Sequence, residues 1–322
     1  MKCIGVLTSG GDNPGLNPCI RAVVRMGIHL GLEVMGIRRG YAGLINGEIE
    51  AMDARSVGGI IGHGGTILGT ARCPEFYEPK GRKEALRSLN RFGIDGLVAI
   101  GGNGSLTGAL ELWRLGFPTI GVPSTIDNDV NGTDISIGVD TALNTILDAI
   151  DKIKDTASSH NRAFLIETMG RNSGYLAMAS GVAGGAELVL CPEVETTFEE
   201  VCHTIDNAYI RGKSHCIIIV AEGWQSGTQA LAERLRERQD LGFSVRVTQL
   251  GYVQRGGSPS AFDRLLATRL GAASARELVA GNAGNMVGWT KSAISLTPLE
   301  EAVAFDKQIS PELWELARIM DK

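Results

Sequence analysis

Cys3-Ile4-Gly5-Val6-Leu7-Thr8-Ser9-Gly10-Gly11-Asp12-Asn13-Pro14-Gly15 is a short apolar run that stops at a polar, glycine-rich loop. Such a run, bounded by turn residues, reads as a buried strand. After the loop, Ile20, Val23, Val24 and Ile28 recur at helical spacing, with Arg21 and Arg25 on the opposite face. The succession strand, glycine loop, helix then repeats. Residues 96–100 run into Gly101-Gly102-Asn103-Gly104-Ser105, and residues 119–122 into Pro123-Ser124-Thr125-Ile126-Asp127-Asn128-Asp129. Further strands are predicted over 3–7, 33–37, 163–167, 187–190, 216–221 and 244–247. Val139, Ala142, Leu143, Ile146, Leu147, Ile150 and Ile153 predict a long helix, and residues 83–92 a shorter one that Gly93 closes. Alternation of this kind implies an α/β fold, with parallel sheets covered on both faces by helices.

Bulk composition narrows the function classes. The 322 residues suggest about two domains, divided near 138–139, where the long helix begins. Hydrophobic residues at 43% and charged residues at 21% exclude a largely disordered chain. A net charge of −5 gives no support to polyanion binding, so no nucleic-acid partner is expected. No run of 18 apolar residues and no signal-peptide pattern occur, which predicts a cytoplasmic protein without membrane contact. The six cysteines lie far apart without a C-x-x-C and read as free thiols. Glycine is the anomaly, 43 residues with only 10 prolines. It collects where ligands of parallel sheets bind, at the carboxyl ends of strands.

Exposed backbone N–H groups ahead of a helix suit phosphate, so the loops at 10–15 and 101–105 are candidate anion cradles or, more simply, tight turns. Neither is a Walker A loop. Gly212-Lys213-Ser214 is excluded as well, because Asn207 stands where that motif needs glycine. Gly102, Gly104 and Gly108 with Asp127 form only a degenerate dinucleotide pattern. Thr125, Asp127 and Asp129 place two carboxylates at i, i+2 after a strand, which suits a general base beside a metal-binding or orienting partner. Arg72, Arg162, Arg171 and Arg255 all flank strands or glycine turns, where a guanidinium can grip phosphate in bidentate fashion.

Five segments together resemble the bacterial-type 6-phosphofructokinases from end to end. They are Gly-Val-Leu-Thr-Ser-Gly-Gly-Asp at 5–12, Gly-Gly-Thr-x-Leu-Gly-Thr-Ala-Arg at 64–72, Pro-Ser-Thr-Ile-Asp-Asn-Asp at 123–129, Met-Gly-Arg at 169–171 and Gln-Arg-Gly-Gly-Ser-Pro at 254–259. The resemblance implies two three-layer α/β/α Rossmann-like domains with mainly parallel sheets and an active site in the cleft between them. A nucleotide-binding domain would span 1–138 plus about 254–304, and a sugar-phosphate domain 139–253 plus about 305–322. It further implies a homotetramer that transfers a nucleotide γ-phosphate, most simply from ATP, to the 1-hydroxyl of fructose 6-phosphate in glycolysis.

Roles carry over by position. Gly11, Tyr41, Arg72, Cys73, Gly102, Asn103, Gly104, Ser105 and Gly108 would hold the nucleotide. Asp127 would be the base, beside Thr125, with Arg72 and Arg171 neutralising the phosphoryl group in flight. Met169, Gly170, Arg171, Glu222, Tyr252 and Arg255 would bind the sugar phosphate, joined by Arg162 and Arg246 from a neighbouring subunit, so that a monomer would be inactive. Arg21, Arg25, Lys154, Gly185, Glu187, Arg211, Lys213 and His215 match an effector site for ADP or phosphoenolpyruvate.

The departures from the family are specific. Asn103 stands where the family has an aspartate that organises Mg²⁺; the metal is then left to Asn103, weakened by its lost charge, Asp129 and the phosphates. The resemblance therefore also admits ADP as donor, or a catalytically weak sensor paralogue. Tyr252 replaces a histidine, Tyr77 and Lys154 replace arginines, and residues 54–59 lack the arginine and acid expected of an effector site. Gly104 and Ser124 are small where pyrophosphate-using relatives carry aspartate and lysine, which leaves room for a nucleoside. A dinucleotide-dependent oxidoreductase is the rival from another class, and absence of NAD(P) binding would reject it.

Overall fold

The computed structural model describes residues 1–238 and 240–320. Gln239, Asp321 and Lys322, all within the stretches assigned by resemblance to the second domain, lie outside the described residues. In chain order the strands are β1 (Cys3–Thr8), β2 (Glu33–Ile37), β3 (Ile49–Met52), β4 (Gly96–Gly101), β5 (Thr119–Pro123), β6 (Arg162–Thr168), β7 (Leu188–Leu190), β8 (Cys216–Ala221), β9 (Ser244–Gln249), β10 (Asn285–Thr290) and β11 (Ala293–Pro298). The helices are α1 (Leu16–His29), α2 (Gly40–Asn46), α3 (Pro79–Arg91), α4 (Asn103–Arg114), α5 (Val139–His160), α6 (Tyr175–Gly184), α7 (Phe198–Ile210), α8 (Thr228–Glu237), α9 (Ala261–Val279), α10 (Leu299–Ala302) and α11 (Pro311–Met320).

The chain divides into two compact units. The first comprises Met1–Thr141 and Arg255–Lys307, the second Ala142–Gln254 and Gln308–Lys322. The first unit is built on a seven-stranded sheet in the order β11-β10-β5-β4-β1-β2-β3. Its interior strands are parallel; β3 and β11 are antiparallel edges. Alternation within each strand supplies two cores. Ile4, Val6, Val98, Ile100, Ile120 and Val122 pack with α1 and α9 on one face. Cys3, Leu7, Leu97 and Ala99 pack with α2, α3, α4 and α10 on the other. The chain leaves β1 for β2 on one side and returns to β4 on the other, so the order reverses between β1 and β4. Crevices of open α/β sheets form at such a reversal.

The second unit carries a four-stranded parallel sheet, β7-β8-β6-β9. Ala163, Leu165, Ile218, Val220 and Val245 face α7 and α8. On the opposite face α6 lies against β7 and β8, with Gly181 close to Val189 and Ile219. Helix α7 begins at a capping box, in which the Thr197 hydroxyl accepts from the Glu200 N–H and the Glu200 carboxylate accepts from the Thr197 N–H. Both units are three-layered with mainly parallel sheets, the class expected from sequence. Strands β3, β10 and β11 were not foreseen. The thiols are free: Cys3, Cys19, Cys191, Cys202 and Cys216 are buried and Cys73 is half-buried. Among the described residues no helix is long and apolar enough to cross a membrane.

Candidate functional site

In the first unit, the parallel register sets Thr8 beside Ile100 and Gly101 beside Pro123, so the loops leaving β1, β4 and β5 emerge side by side. Backbone bonds continue this order past the strands, from Ser9 N–H to Ile100 O at 3.0 Å and from Ser124 N–H to Gly101 O at 2.9 Å. The Ser124 hydroxyl donates to Asn13 Oδ1 at 3.0 Å, tying the first loop to the third. Residues 66–72 lie against the same strand ends, with the Thr70 hydroxyl donating to Gly10 O at 2.6 Å and the Thr8 hydroxyl to Gly69 O at 3.0 Å. Arg72 extends from this segment and is exposed. Arg255 is half-buried, and its Nη1 donates to Asp12 O at 3.3 Å, beside Gly11.

The second glycine loop opens α4, with Gly102 as the N-cap. The Ser105 and Leu106 N–H groups bond back to Gly102 O, while a Cβ on exposed Gly104 would find only the Tyr77 hydroxyl, at 3.8 Å. Tyr41, expected beside the nucleotide, is 4% exposed, stacks on Phe76 and donates its hydroxyl to Ser105 O at 2.7 Å. Burial pushes its phenol pKa up, so it stays a neutral donor beneath the loop. Gly108 faces the Tyr41 ring, where an added Cβ would lie 2.6 Å from ring carbons. Gly108→Ala is therefore expected to cost about 2 kcal/mol of stability through overpacking, read as a lower thermal midpoint. An unchanged midpoint would show that Tyr41 yields without cost. Burial likewise raises the Cys73 thiol pKa, which leaves it protonated rather than nucleophilic.

The turn after β5 is rigid. Thr125 N–H bonds to Ile137 O at 3.1 Å, and the Asp127 N–H to Thr125 Oγ1 at 3.2 Å. Asn128, at φ 50°, accepts from the Ser136 N–H through Oδ1 at 3.0 Å. Asp127 is thereby held in a turn that leaves it 4% exposed. Asp129 belongs to the same turn, and its carbonyl receives Asn103 Nδ2 at 3.3 Å. Asn103 Oδ1 is buried with no hydrogen-bond partner. Among the described residues no cluster of three or more His, Cys, Asp or Glu side chains is arranged to hold a metal. A lone amide oxygen and a neighbouring carboxylate do suit Mg²⁺, which keeps several waters and takes the rest of its shell from substrate phosphates.

In the second unit the ends of β6 and β8 are adjacent, with Thr168 opposite Ala221 and the Glu222 N–H bonded to Thr168 O at 2.9 Å. Glu222 Oε1 accepts from the Gly170 N–H at 3.2 Å and the Arg171 N–H at 2.7 Å. The Arg171 carbonyl passes so close to Gly223 that any Cβ there would overlap it. Arg171 itself, at φ 52°, takes a backbone conformation disfavoured for an L side chain, and its side chain is exposed. Met169 N–H bonds to Oε1 of the fully buried Gln254 at 3.1 Å, a positioning contact that sequence reading did not assign. Tyr252 is 82% exposed. Arg162 and Arg246 lie on one face of the sheet, since Arg246 pairs with Phe164, two residues beyond Arg162.

Part of the expected effector set is also gathered in this unit. Lys213 Nζ reaches Glu187 Oε1 at 3.1 Å, and Glu187 Oε2 accepts from the Ile217 N–H at 2.6 Å. Lys154 Nζ donates to Gly184 O, next to Gly185, and His215 Nδ1 lies 2.8 Å from the Ser158 hydroxyl. Arg211 is exposed at the end of α7. Arg21 and Arg25 sit on α1, in the first unit.

A family model described as Phosphofructokinase matches residues 3–278. The chain is 52% identical over 318 residues to an ATP-dependent 6-phosphofructokinase of Shouchella clausii, covering 99% of each. It is 51% identical to one of Clostridium acetobutylicum, over the full length of both. Among solved structures it resembles phosphofructokinase from Pichia pastoris in the T-state, at 36% identity and a TM-score of 0.88; the match covers 99% of this chain and 39% of the longer yeast chain. A pyrophosphate-dependent phosphofructokinase of Marinobacter aquaeolei shares the fold at 22% identity and a TM-score of 0.85, covering 99% of this chain and 91% of that one.

Proposed function

The chain belongs to the phosphofructokinase family, and from that premise we propose that it transfers the terminal phosphoryl group of ATP to the 1-hydroxyl of fructose 6-phosphate, giving fructose 1,6-bisphosphate. The observation that carries this reading is the rigid 125–129 turn, which lies against the glycine-opened N-terminus of α4 through Thr125 beside Gly102 and the Asp129 carbonyl on Asn103 Nδ2, and which holds Asp127 between them in sequence. A fixed carboxylate is there to take the hydroxyl proton, and backbone N–H groups are there to receive phosphate. Relatives about 50% identical over their full length are named ATP-dependent, which supports ATP over ADP.

In this reaction Asp127 accepts the proton of the attacking hydroxyl while Thr125 orients the sugar. Phosphoryl transfer has a loose, highly charged transition state, so most of the rate comes from positioning and electrostatics. Arg72 and Arg171 supply that compensation. Glu222 shapes the 169–171 turn through its two backbone bonds, and Arg255 meets the 6-phosphate. A divalent cation, Mg²⁺ in this reading, would be held by Asn103 Oδ1, Asp129 and the donor phosphates, and supplies neutralisation of their charge. The first unit serves the nucleotide and supplies Thr125, Asp127 and Arg255 to the sugar phosphate, and the second supplies the rest of the sugar-phosphate set. Arg162 and Arg246 serve a neighbouring subunit of a homotetramer, and the Glu187–Lys213 group with Arg211 binds an anionic effector, ADP or phosphoenolpyruvate.

The test is a donor screen with ATP, ADP, GTP and pyrophosphate on fructose 6-phosphate at varied Mg²⁺. Turnover with ATP is expected; absence of turnover with every donor would overturn the reading and favour a sensor role. Asn103→Asp adds a unit negative charge beside a divalent cation, worth about 2 kcal/mol at 4 Å in a water-like dielectric. It is expected to raise turnover at limiting Mg²⁺ by up to about thirtyfold. No change would reject Asn103 as a ligand.

A further inference from the structure

Two acceptors hold the nitrogen end of the Asn103 amide. Nδ2 donates to Asp306 Oδ1 at 2.7 Å and to Asp129 O at 3.3 Å. An amide held by its nitrogen has its oxygen aimed too, and that oxygen is the buried atom without a hydrogen-bond partner. The segment carrying Asp306 is itself pinned to the Asp129 turn. Lys307 N–H donates to Asp129 O at 2.8 Å, and Lys307 Nζ to Thr133 O at 2.9 Å and Asp134 O at 2.6 Å. Asp306 is therefore carried on a backbone that cannot drift from the loop it serves.

We infer that Asp306 is a positioning residue, whose carboxylate locks the Asn103 amide with Oδ1 presented as the oxygen ligand for the metal–phosphate group. The inference deepens the phosphoryl-transfer reading and rests on it. Were the amide to flip, its NH₂ would replace the oxygen ligand and repel a cation. The charge-assisted bond at 2.7 Å sets the preference against that flip. The complementarity is specific to an amide at 103 and an acid at 306. A carboxylate at 103 would face the Asp306 carboxylate at hydrogen-bond distance, and two like charges that close resist ionising together. The gain from Asn103→Asp is accordingly larger when combined with Asp306→Asn, which restores a donor–acceptor pair in reverse.

The test reads Mn²⁺ binding to the full-length enzyme with ADP by electron paramagnetic resonance, so it does not depend on turnover. Asp306→Ala is expected to weaken Mn²⁺ binding about tenfold, the usual cost of losing a group that orients a ligand. Asp306→Ser, too short to reach Nδ2, is expected to match it and covers the case in which the alanine variant does not fold. Asp306→Asn still offers an acceptor oxygen but lacks the charge, and with Asp129 O still accepting from Nδ2 it is expected to bind Mn²⁺ between the parent and the alanine variant. Equal weakening by Asp306→Asn would mean that charge, not orientation, is what matters, and would overturn the inference. Parental affinity in the alanine and serine variants would overturn it as well. If the parent turns over with ATP and these variants bind Mn²⁺ normally, only the inference fails. A parent that neither turns over nor binds Mn²⁺ with ADP fails the kinase reading and the inference together.

Discussion

An enzyme carrying Asp127→Asn is expected to phosphorylate fructose 6-phosphate about 10³-fold more slowly than the parent, the usual worth of a general base. The substitution keeps the shape of the side chain and removes its charge and its ability to take a proton. The surrounding turn does not depend on that proton. Asn128 holds it through Ser136 and Asp134, and Thr125 through the Ile137 carbonyl. Sugar and nucleotide should therefore still bind, and the loss should fall on kcat with KM for fructose 6-phosphate nearly unchanged. Steady-state kinetics with calorimetric binding of the nucleotide checks both halves. A kcat close to the parent value would remove Asp127 from the chemistry; a KM that rises with kcat intact would make it a binding residue.

Asp263→Ala is expected to lower stability by about 4 kcal/mol, measured by denaturant unfolding. Asp263 is fully buried at the first turn of α9 and accepts three hydrogen bonds. They come from the Gly138 N–H at 2.8 Å, the Thr141 N–H at 2.8 Å and the Thr141 hydroxyl at 2.6 Å. Truncation strands two buried backbone donors and a hydroxyl, each costing about 1–3 kcal/mol to leave unmade. The pH dependence has a definite sign. Burial raises the Asp263 carboxyl pKa above its usual value, against the pull of the Thr141 and Gly138 donors. The folded chain thus binds this proton more tightly than the unfolded one, so the resulting stability is present below the unfolded value, about 3.9. It is lost as pH rises through the raised folded value. The alanine variant should lack that component, and a parallel pH profile in parent and variant would count against it.

What could be read in advance follows the range of the interactions involved. Strands β1, β4, β5, β6 and β8 are buried on both faces and read as continuous apolar runs. Strands β3 and β11 are half-exposed edges; β3 is only four residues long, and β11 alternates with Ile294 and Leu296 on its exposed face, the reverse of the usual apolar-inward pattern. The glycine loops and the 125–129 turn were legible because each is a contiguous stretch of sequence. Asp263 and Asp306 were not. Their partners lie more than 120 and 200 positions away, and only the finished sheet brings them together. Asn103 falls between these cases, since its identity was plain but the direction of its amide depends on Asp306. Tyr41 was placed beside the ligand by resemblance, yet its hydroxyl is engaged with the backbone of the loop itself.

The interleaving of the two units has a consequence during synthesis. Helix α1 buries Leu16, Cys19, Ile20, Val23 and Val24 in a core shared with Leu266, Ala267 and Leu270 of α9. The ribosome makes those partners more than 200 residues later. At 5–20 residues per second the nascent chain carries an uncovered apolar helix for roughly 10–50 s. Over that interval most of the second unit is translated, so the segment made first waits for its core partners until after most of the second unit has emerged. For this chain, escape from aggregation in the cell is set by translation timing and by whatever shields α1 until α9 arrives.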